Sequence, residues 1–154
     1  MAEYLREYYE SQQASCAFLD LRAFNLPLCD GDAAYSHPDV AKCASLITEA
    51  RVIIAAAPVY NYDVCAALKN LIELTGDSWE DKVVGFVCAA GGSSSYMSVM
   101  SVANSLMLDF RCLIIPRFVY ATRNDFSDEK VPTDEIKVRL ARLAQASLAI
   151  KNAV

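Results

Sequence analysis

Residues Arg51–Gly92, RVIIAAAPVYNYDVCAALKNLIELTGDSWEDKVVGFVCAAGG, decide the fold of this chain. The run Val52–Ala57 is too short for a helix, is bounded by an arginine and a proline, and reads as a strand buried on both faces. It ends in Pro58-Val59-Tyr60-Asn61. A second run, Val83 to Ala90, repeats the design, with a strand expected over Lys82 to Ala89, and empties into Gly91-Gly92-Ser93-Ser94-Ser95. Ligands of an open parallel sheet bind outside the carboxyl ends of its strands, so two such loops predict one shared site.

Outward from this stretch, helices and strands alternate. Met1 to Gln12 reads as the end of a helix, and Cys16 to Leu21 as a short strand. A loop rich in turn formers follows, with Pro27, Asp30, Gly31 and Asp32. Pro38 opens a helix capped by Ser36 or His37, with Val40, Cys43, Ala44 and Ile47 as its buried stripe. After the strand to Ala57, a helix is expected from Val64 to Thr75, stopping at Gly76. Met97 to Asp109 reads as a helix and Arg111 to Pro116 as a strand. A long loop through Asn124 to Pro132 leads to a last helix capped by Thr133, with Ile136, Leu140, Leu143 and Ile150 facing inward. The alternation predicts an α/β fold, a parallel sheet with helices on both faces, in one domain spanning 1–154.

Composition narrows the function classes. With 55% hydrophobic and 21% charged residues the chain has the composition of a globular protein. A net charge of -5 and no standout Lys/Arg cluster argue against nucleic acid or an anionic membrane as partner. No apolar run approaches the ~18 residues that span a bilayer, and MAEYLREYYE is not signal-like, so a cytoplasmic location is expected. The six cysteines, Cys16, Cys29, Cys43, Cys65, Cys88 and Cys112, lack the paired spacing of a zinc or dithiol site and read mostly as small buried hydrophobes. Cys65, just after the Asn61 loop, is the one candidate for reactivity. No metal site is expected.

The order of LDLRAFNLPLCDGD (19–32), HPDV (37–40), PVYN (58–61), ALKNLIEL (67–74) and DKVVGFVCAAGG (81–92) resembles the NADPH-dependent FMN reductase family of flavodoxin-like proteins. Two positions depart mildly: Val59 stands where many members carry glutamate, and Glu73 where they carry aspartate. A larger departure concerns the family's first strand and the Gly/Ser loop that cradles the FMN phosphate. No Ser/Gly-rich turn follows a strand before Pro58, so the chain reads as an amino-terminally truncated or mis-started member. In the order 2-1-3-4-5 the first strand sits between the second and third, so its loss would part the Cys16 strand from the Val52 strand. Each backbone group left unpaired there would cost about 1 to 3 kcal/mol.

The resemblance implies that Pro58, Val59, Tyr60 and Asn61 line the isoalloxazine ring while Gly91, Gly92 and Ser93 allow the chain to approach its other edge. It implies FMN and NAD(P)H as cofactors and a small electron acceptor as partner: free flavin, quinone, azo compound or metal ion. It also implies a homodimer or homotetramer, with the helix around Val99 to Leu108 as a pairing surface. No acid, base or nucleophile is required, because the flavin carries the electrons. Taken alone, PVYN is equally a strand-to-helix turn with an asparagine cap and Gly91-Gly92 a flexible turn. A non-catalytic interaction module or decayed paralogue that has lost FMN binding is the competing reading. No basic pocket for the extra phosphate of NADPH is legible; Arg117 and Arg123 are the candidates.

Overall fold

Val52, Ile53 and Ile54, like Val83 and Val84, are β-branched residues that lose little by taking an extended backbone, and they pair with one another on adjacent strands of the sheet. In a computed structural model, which describes residues 1–151, strands β1 (Val52–Tyr60) and β3 (Val83–Ala89) run parallel. Their register extends from Val52 opposite Val83 to Pro58 opposite Ala89. A short strand β2 (Asp63–Val64) folds back antiparallel on the end of β1. On the far side β3 pairs in parallel with β4 (Leu113–Ile114) and then with β5 (Val119–Ala121).

Alternation along β3 divides the core. Val84, Phe86 and Cys88 face the cluster built with α2 (Pro38–Glu49), α3 (Ala66–Thr75) and α4 (Met100–Phe110). Val83 and Val87 face α1 (Ala2–Ser11) and α5 (Asp134–Lys151) through Leu5, Ile136, Leu140 and Leu143. Gly85 points to the same side, where an added Cβ would stand 2.8 Å from Ile54 Cδ1 and 3.1 Å from Leu143 Cδ1. The missing side chain there lets α5 settle close to the sheet. On the opposite face Trp79 is 1% exposed, and its indole N–H donates to Thr75 Oγ1 at 2.9 Å.

The helix expectations hold at α1, α2, α3, α4 and α5, with shifted starts. Val64 belongs to β2, so α3 begins at Ala66, and α4 begins at Met100 rather than Met97. His37 caps α2, its Nδ1 accepting from the Asp39 N–H at 3.2 Å. Two strand expectations need correction. Cys16 to Leu21 forms no strand. Residues 13–20 carry no regular structure and Leu21–Ala23 form a 3-10 turn, although Leu19, Leu21, Phe24 and Leu26 still pack on the core. A strand needs a ladder partner, and the outer edge of β1 is paired only at Val59 and Tyr60, by β2. Arg111 to Pro116 contracts to β4, because Arg111 takes a left-handed conformation at the end of α4 and the Arg117 N–H turns back to Ile115 O across Pro116. The edge strand resumes as β5, which lay unrecognised in the predicted loop.

Candidate functional site

Pro58 and Ala89 are register partners on adjacent parallel strands, so the two sequence-predicted loops leave the sheet side by side at one level. The PVYN segment is a strand end rather than a loop: Pro58, Val59 and Tyr60 complete β1. Asn61 and Tyr62, at φ 51° and 68°, then make a two-residue reverse turn into β2. Two successive positive φ values are those of a type I′ hairpin turn, and asparagine is among the residues that accept them at least cost. Alternation along the strand buries the Val59 side chain in the core at 7% exposure, so it does not line the site. Tyr60 and Tyr62 stand out from the hairpin, each 62% exposed.

From β3 the chain passes through Ala90, whose N–H donates to Ala121 O at 2.9 Å, into exposed Gly91, Gly92 and Ser93. Gly92 is extended, at φ -159°, a conformation open to any residue. A Cβ on Gly91 or Gly92 would meet nothing within 4 Å. The fold itself therefore imposes no glycine at either position. Tyr120 secures the loop by donating to Gly92 O at 2.5 Å, and the Tyr96 ring stands 5.0 Å from Phe118 and 5.8 Å from Tyr120.

The two loops are joined. Asp63 Oδ1, next to the hairpin turn, accepts from the Val64 N–H and from Ser101 Oγ of α4, both at 2.8 Å. Among the described residues the N–H groups of Asn61, Tyr62, Gly91 and Gly92 have no protein partner. The result is a shelf of unpaired backbone donors with open space above the glycines, flanked by the exposed side chains of Tyr60, Tyr62, Tyr96, Met97 and Met100. At the foot of the Gly–Ser loop the Ser98 hydroxyl is buried without a partner. Donors without protein partners can bond acceptors along the edge of a flat ring, and exposed aromatic and thioether groups can cover its faces.

Sequence reasoning missed Asp63, Ser101 and Tyr120, which hold the loops, since ordinary polar residues carry no motif until the fold brings them together. It also missed Asn70, whose amide donates to Pro27 O at 2.8 Å and accepts from Cys29 N–H at 2.9 Å, fastening the turn-rich loop before α2 to α3. Lys69 pairs with Glu73 on the helix surface at 3.2 Å. Cys43, Cys88 and Cys112 are buried, Cys29 and Cys65 half-buried, and Cys16 is exposed, against its reading as a core residue. Among the described residues no helix is long and apolar enough to cross a membrane.

Comparison with known proteins assigns the class. The chain belongs to the NADPH-dependent FMN reductase family, which it matches over residues 1–127; these are oxidoreductases that use FMN with NAD(P)H as electron donor. It is 30% identical over 129 residues to the NAD(P)H-dependent FAD/FMN reductase of Geobacillus thermodenitrificans, covering 82% of this chain and 70% of that one. It is 30% identical over 100 residues to the NADH-dependent FMN reductase SfnF of Pseudomonas fluorescens, covering 64% of this chain and 54% of the relative. Among solved structures it resembles the flavoenzyme NAD(P)H:(acceptor) oxidoreductase FerB of Paracoccus denitrificans at TM-score 0.73 and 16% identity, over 96% of this chain and 85% of that one. The fold is therefore flavodoxin-like, as the family resemblance implies.

Proposed function

We propose that this chain is an NAD(P)H-dependent flavin reductase in which the FMN ring rests on the shelf formed by Pro58, Tyr60, Asn61, Gly91, Gly92 and Ser93, and electrons pass to a small acceptor. The observation that carries this reading is the pair of register-matched strand ends whose four loop N–H groups lack protein partners. These residues fit the ring end of the cofactor. FMN, when bound, supplies the hydride acceptor and the store of two electrons. The protein's part is positional: N–H groups aimed at the ring's polar edge stabilise negative charge there without reorganising. Tyr60, Tyr62 and Met97 shield the ring from water, and the Asp63–Ser101 bond keeps the two loops at a fixed separation.

Val59, counted with the site from the resemblance, contributes its backbone only. The shelf is open above the glycines, which suits acceptors of the size of free flavin, a quinone, an azo compound or a chelated metal ion. Pairing of two or four copies through α4 is supported by its exposed Met100, Met107 and Leu108, the last 81% exposed. Six cysteines without a disulfide support a reducing, cytoplasmic setting. The test is steady-state consumption of NADPH and NADH by the chain with FMN and each acceptor class in turn. Saturable, FMN-dependent oxidation of the nicotinamide is expected, and its absence with every acceptor counts against the reading.

A further inference from the structure

Tyr120 is 5% exposed and belongs to the core that β3 shares with α2, α3 and α4, yet its hydroxyl reaches the Gly–Ser loop. Its backbone is held from two sides. On the sheet it stands in register with Cys88, and just beyond it the Ala90 N–H donates to Ala121 O at 2.9 Å. From α5, Arg139 Nη1 donates to Tyr120 O at 3.2 Å. The ring packs edge-on against Tyr96, with centroids 5.8 Å apart. A phenol fixed at both its backbone and its ring presents the hydroxyl at one place, and the Gly92 carbonyl oxygen stands there, 2.5 Å away.

This bond sets the orientation of one peptide group. All the described peptide bonds are trans, and in a planar trans peptide the C=O and the N–H point in opposite directions. Because Gly92 O turns toward the buried Tyr120, the Ser93 N–H turns away from the core, to the exposed side of the loop. That N–H has no protein partner among the described residues, like the four other N–H groups of the shelf. Without a tether, glycine would make the orientation labile. Gly92 lies at φ -159° and ψ 179°, it has no Cβ to restrict rotation of the next peptide, and nothing stands within 4 Å of where a Cβ would be. Turned over, the same peptide would show the shelf an acceptor in place of a donor.

We propose that Tyr120 is a positioning residue that keeps the Ser93 N–H outward, so that the loop donates to the polar edge of the flavin ring and favours reduced over oxidised FMN. The proposal rests on the flavin-reductase reading. Reduction adds negative charge along that edge, which a fixed donor stabilises and a carbonyl oxygen opposes. Tyr120 itself acts only through the Gly92 carbonyl.

Tyr120→Phe tests this, since it deletes the hydroxyl and keeps the ring against Tyr96. Ser147→Ala serves as the control: it removes a 2.7 Å hydrogen bond to Tyr9, between α1 and α5, and reports what lost stability does by itself. In the free chain, NMR relaxation of the Gly91, Gly92 and Ser93 amides is expected to show a rigid loop in the original and in Ser147→Ala, and a mobile one in Tyr120→Phe. With FMN bound, a redox titration against a reference dye is expected to show reduced flavin held at least tenfold less well, relative to oxidised flavin, in Tyr120→Phe. For a two-electron couple that is a potential lower by about 30 mV. Ser147→Ala should leave the potential unchanged.

A loop equally rigid in Tyr120→Phe, or a bound-flavin potential equal to the original's, overturns the proposal and leaves the reductase reading standing. A potential that falls as far in Ser147→Ala also overturns it, by showing an effect of stability alone. An original chain with no saturable FMN binding rejects the reductase reading, and the role of Tyr120 toward the flavin with it.

Discussion

At the residue scale, Asn61 carries two roles that a single substitution confuses. Its φ of 51° makes it a turn former, and in the proposed site its backbone N–H faces the flavin edge. Asn61→Ala removes the short polar side chain that lets asparagine tolerate the left-handed region and is expected to cost about 1 kcal/mol of stability, read as a lower Tm. Asn61→Gly keeps the turn and the N–H while deleting the amide, so FMN affinity should stay within about threefold of the original. A large loss in Asn61→Gly would mean that the side chain itself contacts the ring. Cys88 makes a second residue-level prediction. Burial pushes its thiol up from 9.0 to about 11, so over that window the unfolded chain releases a proton that the native state retains. Stability therefore falls as pH rises from 9.0 to about 11, and Cys88→Ala should flatten that fall in thermal melts. Equal slopes in the two proteins would show that other groups dominate.

At the scale of elements, β1 and β3 were legible because a run of β-branched and small apolar residues bounded by charge and glycine or proline has few alternatives. The helices were legible from their 3.6-residue stripes, such as Ile136, Leu140 and Leu143 on α5. Cys16 to Leu21 was misread for a physical reason: its pattern suits a strand, but strand structure resides in the ladder, and the outer edge of β1 brings it no partner. β5 was missed because Pro116 splits one edge strand into two pieces too short to show alternation. The packing of α5 on β3 depends on Gly85, which no pattern marks. Gly85→Val is expected to destabilise by about 1–3 kcal/mol through overpacking against Ile54 and Leu143, measured by urea unfolding. A midpoint equal to the original would mean that the two side-chain ends swing aside freely.

For the whole molecule, the family was readable from the order of motifs that includes PVYN and the glycine pair, and so was the meeting of the two loops at one level, since both follow strand ends and strand ends meet in a parallel sheet. What joins them was not readable: the Asp63–Ser101 bond and the Tyr120 tether arise between segments far apart in sequence. The central claim is that the two loops together hold the flavin ring, and it is tested most directly by titrating FMN into the chain and into Gly92→Val, following flavin fluorescence. A Cβ at Gly92 meets no protein atom within 4 Å, so the variant should fold with an unchanged Tm. The account predicts saturable FMN binding by the original chain and affinity at least tenfold weaker in Gly92→Val. No saturable binding, or equal affinity in both, would contradict it.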